Sequence, residues 1–159
     1  MQAPLLLAFA IGIVAGLRSM TAPAAVSLAA WLGWLDLDGS PLSFMGSGIT
    51  VTIFTTLAVV EYVTDLLPST PNRTAVGPLF VRMLMGGLAG AGLSLSARQG
   101  FIAGAIAGGV GAVVGAFVGY EIRKRLVSRL KVKDSFIAIP EDLVAIMLAY
   151  LVVSSRLSF

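Results

Sequence analysis

Val59-Val60-Glu61-Tyr62-Val63-Thr64-Asp65-Leu66-Leu67-Pro68-Ser69-Thr70-Pro71-Asn72-Arg73 is the stretch that decides how this chain folds. An apolar run that begins near Ile49 meets two carboxylates here and is then stopped by Pro68 and Pro71. Glu61 and Asp65 share one face of a helix, about one turn apart. Like charges so placed repel, and in apolar surroundings each also loses its hydration. They require a proton, a cation, or an arginine from elsewhere in the chain. The arginines at hand are Arg18, Arg73 and Arg82, each at the edge of an apolar run or just inside one. Glu61 is expected to lie deeper than Asp65, because Pro68 marks the exit of the span.

Composition sets the class. The chain is 57% hydrophobic and 12% charged, whereas a soluble domain carries about 25% charged residues. That deficit reads as an all-α integral membrane protein of one domain over its 159 residues. There is no cysteine and no histidine. Disulfides, thiolate metal sites, cysteine nucleophiles and the usual imidazole base or ligand are therefore excluded. No catalytic residue, metal or cofactor is expected. The net charge of +3 comes from a cluster at 123–133, which suits anionic lipid headgroups better than nucleic acid. The first 24 residues contain a small-residue stretch, Ala22-Pro23-Ala24, but no Lys or Arg precedes the apolar run. They read as retained rather than cleaved.

In chain order, Pro4 to Leu17 is apolar, Arg18-Ser19-Met20-Thr21 interrupts, and Ala22 to Leu35 is apolar again. Each piece spans roughly 21 Å as helix, short of the ~20 residues normally needed to cross. Ser19 or Thr21 can cap a new helix that has Pro23 in its first turn. The break at residues 18–23 is thus either a tight hairpin or an interruption of one long span, with the hairpin favoured. Trp31 and Trp34 mark an interface, as do Tyr62 and Tyr120. Asp36 to Gly48 is a loop, and Ile49 to Leu67 is the third span. Pro78 to Ala97 and Phe101 to Tyr120 are antiparallel neighbours joined by Arg98-Gln99-Gly100. Glu121 to Lys133 is an amphipathic, basic segment expected on the membrane surface, and Pro140 to Val153 is the last span. The total is five to six short transmembrane helices.

Counting Lys and Arg orients the chain. Arg18, Arg73, Arg82 and all six basic residues from Arg123 to Lys133 fall on one side, Arg98 and Arg156 on the other. The crowded side is cytoplasmic, and the chain is expected to be a multi-pass protein of an inner membrane. The spans divide into halves, 1–73 and 78–156, that start from opposite sides. GIVAGLRSMT from Gly12 can be laid beside GGLAGAGLSLS from Gly86. A 3+3 inverted repeat of this kind recurs in transporters, with the solute site between the repeats.

The remaining motifs each have more than one reading. Gly111, Gly115 and Gly119, with Gly86 and Gly90, form stripes that let helix backbones approach closely. They serve packing within one subunit, a seam in a homo-oligomer, or a backbone-lined pore. Glu61 and Asp65 bind a cation or proton, or are paired by Arg18, Arg73 or Arg82. Arg18, Ser19 and Thr21 stand at a helix start, where free N–H groups make an anion site, although capping explains the same residues. Glu141 and Asp142 open a helix, where acids are stabilised without further function; Asp142 is also placed to face the Glu61 cluster.

Gly16-Leu17-Arg18-Ser19-Met20-Thr21-Ala22-Pro23, Glu61-x3-Asp65-x2-Pro68-x2-Pro71 and Glu141-Asp142-Leu143-Val144-Ala145 together resemble an uncharacterised family of small bacterial polytopic membrane proteins. The resemblance covers nearly the whole chain and implies that these positions are the family's polar hallmark. It implies no activity, substrate or cofactor. From the residues themselves, the expected function is a small transporter or channel. Its ion, proton or small solute would be bound by Glu61, Asp65, Arg18, Ser19, Thr21, Arg73, Arg82 and Asp142. The alternative is a non-catalytic accessory subunit of a membrane complex. An enzyme acting on lipid is the least favoured reading, since no metal site or nucleophile–base pair is present, although Glu61 and Asp65 could act as acid and base.

Overall fold

The computed structural model describes residues 2–66, 74–131 and 134–155, and among these all regular structure is helical. The helices are α1 (Gln2–Leu17), α2 (Thr21–Trp31), α3 (Gly48–Asp65), α4 (Val76–Ser96), α5 (Phe101–Leu130) and α6 (Asp134–Ser154), with one 3₁₀ turn at Ser43–Gly46. Four of them, α3, α4, α5 and the stretch 136–154 of α6, are long and apolar enough to cross a bilayer, and α1 is a shorter apolar helix. Many large apolar side chains face outward, among them Ile49, Ile53, Phe80, Ile102, Leu143 and Leu151. That is the surface a lipid-embedded bundle presents. The chain is a multi-pass membrane protein.

Glycine decides the packing at the centre. Within lipid the hydrophobic effect does not press helices together, so close backbone contact has to supply the attraction. A methyl group added at Gly108 would run into the Gly86 carbonyl, one at Gly12 into the Gly108 carbonyl, and one at Gly16 into the Ala112 carbonyl. Gly111 and Gly115 face Phe9 and Ile13 of α1, while Gly90 faces Gly104 and Gly108. The stripes on α5 therefore split between two neighbours, α1 on one side and α4 on the other. They are occupied within one chain, which removes Gly86, Gly90, Gly111 and Gly115 as a free seam between copies. Gly119 is also buried.

The same contacts give directions. Gly12 meets Gly108 and Gly16 meets Ala112, so α1 and α5 run parallel; Gly86 meets Gly108 and Gly90 meets Gly104, so α4 runs against them. The short α2 turns back. Its start lies beside Glu61, near the beginning of α4, and its Val26 packs on Gly92, well along α4. Residues 4–35 thus form a helical hairpin rather than one interrupted span. α3 then runs antiparallel to α2, with Trp31 beside Gly48 and Thr21 beside Tyr62.

Three local expectations change. The loop at 36–48 contains a 3₁₀ turn at Ser43–Gly46, and its Leu37, Leu42 and Met45, with Leu35 before it, are buried in the core. The basic run at 121–133 is not an element of its own. Through Leu130 it continues α5, whose 30 residues span about 45 Å against a hydrocarbon core of ~30 Å. Finally, α6 begins at Asp134 and carries Pro140 inside it, so Glu141 and Asp142 do not open a helix. The N-terminal dipole that would stabilise them acts mainly over the first turn. Other partners are required.

Candidate functional site at the helix break

The break between α1 and α2 exposes the carbonyl end of one helix and the amide end of another, and neither has intrahelical partners. Side chains from α3 and α4 supply them. Arg82 Nη1 donates to the carbonyls of Leu17 (3.1 Å), Gly16 (3.2 Å) and Ala15 (3.5 Å). Glu61 Oε1 accepts from both the amide and the hydroxyl of Ser19, each at 2.8 Å, and Oε2 accepts from the Met20 amide at 2.8 Å. A cation thus sits on the negative end of α1 and an anion on the positive end of α2, the arrangement the helix dipoles favour. Arg82 and Glu61 are themselves 3.8 Å apart. The N-cap of α2 is Met20, with no side-chain cap of its own. Ser19 and Thr21 do not cap it because a carboxylate, the stronger acceptor, arrives from α3. Thr21 Oγ1 pairs instead with the Tyr62 hydroxyl at 2.6 Å, so Tyr62 is a bundle contact rather than an interface anchor.

A second knot of charge lies alongside. Arg18 is fully buried. Its Nη2 meets Asp65 Oδ2 at 2.8 Å and Glu141 Oε2 at 3.8 Å, and its Nε donates to Asp142 Oδ1. The Asp65 contact is an ion pair off the N–H axis, and Nη1 has no hydrogen-bond partner among the described residues. Arg123 Nη1 approaches from α5, 2.6 Å from Asp65 Oδ2 and 3.4 Å from Glu141 Oε2. The four carboxylates keep only 11–16% of their side-chain surface exposed. Low exposure without cations would be strongly unfavourable, and the arginines answer it.

The structure therefore brings together Arg18, Ser19, Thr21, Glu61, Asp65, Arg82 and Asp142. Arg73 lies outside the described residues. Arg123 and Glu141 join the cluster although the sequence reading assigns them elsewhere, to a basic surface segment and to a helix start. Arg123 was legible in one respect, since it continues the four-residue spacing Gly111, Gly115, Gly119 that faces inward on α5. Glu141 reads from sequence as a helix-start acid, and the start of α6 at Asp134 removes that reading.

A cleft of about 300 Å³ opens between α3 and α4 against this cluster, lined by Ser19, Glu61, Thr64, Asp65, Pro78, Val81 and Arg82. It gives a small polar species a place to meet both carboxylates and one guanidinium at once. At the opposite end of the bundle, Trp34 packs edge-on against Tyr150 with ring centroids 6.3 Å apart, and Trp31 is exposed.

A family model described as "Domain of unknown function (DUF4126)" matches residues 5–155. No curated protein and no solved structure matches the chain.

Proposed function

The chain belongs to that family of unknown function, and we propose from its residues that it is a small membrane transporter or channel whose polar cluster binds a proton, a cation or a small solute. The observation that carries this reading is the position of Glu61. It closes the amide end of α2 and at the same time lines the cleft. A proton or cation that reached Glu61 through the cleft would weaken its hold on Ser19 and Met20, and α2 would lose its anchor. Binding and helix movement would then be coupled through one carboxylate. The buried Arg18 Nη1, with no hydrogen-bond partner among the described residues, supports a polar occupant nearby, because buried donors are seldom left unpaired. Asp65, Asp142, Ser19, Thr21, Arg82 and, in the adjoining segment, Arg73 complete the proposed binding set.

In this reading all six helices cross, with the cluster toward the cytoplasmic face of the inner membrane by the positive-inside rule. The halves 1–73 and 78–156 form one domain of opposed orientation. The second helices of the two halves, α2 and α5, have 11 and 30 residues, so any repeat is unequal. The test is pH- or ion-driven solute flux in proteoliposomes. Flux by the native protein that disappears in Glu61→Gln is expected. Flux unchanged by that substitution, or liposomes silent to a panel of ions and small solutes, would overturn the reading.

One observation favours the alternative, an accessory subunit of a membrane complex. α3 seats one narrow stripe, through Val51, Phe54, Ala58, Glu61 and Asp65, against the bundle, while Ile49, Ile53, Leu57, Val60 and Val63 are exposed and open to lipid or to another helix. A subunit would co-purify with a stable partner seated on α3 and leave liposomes silent.

A further inference from the structure

Away from the polar cleft, a crevice of about 210 Å³ lies between the late turns of α5 and the early turns of α6. Its walls are Ile122, Leu126, Ile137 and Val144, with Gly119 contributing no side chain and Leu17 closing the back. Arg123 and Glu141 also border it, but they are engaged with each other and Arg123 with Asp65. The crevice is thus an apolar slot at the height where α5 changes character. Its apolar run ends at Tyr120, and Arg123, Lys124, Arg125, Arg129 and Lys131 follow within the next eleven residues, against one acid, Glu121.

We propose that this crevice binds one acyl chain of an anionic phospholipid, whose phosphate rests on Arg125 and Arg129. Arg129 is on the same side of α5 as the crevice, three residues beyond Leu126. Arg125 borders the neighbouring hollow on α5, which shares Ile122 with the crevice, and its largely exposed side chain, 3.6 Å from Glu121 in an i,i+4 pair, costs little to redirect. The apolar slot and its adjoining cations match the two parts of such a lipid, and basic pockets between transmembrane helices are a known mode of headgroup binding. Charge argues against a second copy of the chain as occupant. A two-fold contact places the same patch on itself, and here it would bring Arg125 and Arg129 toward their own copies.

The proposal is tested with the full chain carrying Phe136→Trp, an exposed aromatic position next to the crevice wall Ile137 but outside the slot, in a Trp31→Phe/Trp34→Phe background, reconstituted in phosphatidylcholine vesicles. Brominated phosphatidylglycerol or brominated phosphatidylcholine is titrated in, and quenching of the new indole reports occupancy. Each basic contact contributes about fivefold, so phosphatidylglycerol is expected to be preferred by about 25-fold. Arg125→Gln/Arg129→Gln brings the preference to within twofold. Val144→Phe, which fills the slot, abolishes the selective quenching while helical content is retained; Gly119→Leu supplies the same test from α5 should that variant fail to fold. Equal quenching by the two lipids overturns the proposal. So does a preference that survives loss of both arginines, or an indole shielded from both lipids in a sample that light scattering shows to be dimeric.

Discussion

Replacing Arg18 with leucine tests the central claim, that buried cations hold the carboxylates in place. Arg18 has no exposed surface and touches Asp65, Glu141 and Asp142. Removing one partner of a buried ion pair costs about 3–5 kcal/mol, because the other charge is left uncompensated. The geometry assigns that penalty unevenly. Asp65 and Glu141 keep Arg123, at 2.6 and 3.4 Å, whereas Asp142 loses the one guanidinium paired with it among the described residues. Arg18→Leu is therefore expected near the lower end, about 3 kcal/mol, or roughly a hundredfold in the unfolding equilibrium. Removing the orphaned acid as well should recover about 2 kcal/mol, since a buried pair replaced by apolar side chains is often neutral or better. Arg18→Leu/Asp142→Leu should thus be rescued, and Arg18→Leu/Asp65→Leu should not, because Asp142 remains alone there. Unfolding in mild detergent titrated with sodium dodecyl sulfate measures all four proteins. A loss below ~1 kcal/mol for Arg18→Leu, or equal rescue by the two second substitutions, would refute the reasoning.

Gly108→Ala places a methyl against the Gly86 carbonyl and close to Gly90, so α4 and α5 must separate; overpacking of this kind costs about 1–3 kcal/mol. Gly77→Ala has open space around it and should unfold within about 0.5 kcal/mol of the native protein in the same titration. Ser47 caps α3 by accepting from the Thr50 amide at 3.2 Å, and Ser47→Ala should cost about 1 kcal/mol. Hydrogen exchange should locate that loss in the first turn of α3, and exchange unchanged there would exclude the cap as its cause.

The sequence by itself determined the class of the protein and most of its helices. Too few charges for a soluble surface, and apolar runs punctuated by Pro, Gly and Arg, admit few other solutions in a bilayer, where every backbone group must be paired internally. It also announced that Glu61 and Asp65 needed partners, since the cost of an unanswered carboxylate is independent of fold. Which partner answered which acid was decided by tertiary structure. Arg82 and Glu61 divide the two ends of the α1–α2 break between them, and Arg123, read as part of a surface run, turns inward because α5 continues unbroken past Tyr120. The hairpin at Arg18 is favoured by the sequence but not fixed by it, for the same reason: whether α2 returns depends on what meets its amide end, and that group, Glu61, lies 41–42 residues away on α3. Local pattern fixes where a helix exists; only the packed bundle fixes which distant charge completes it.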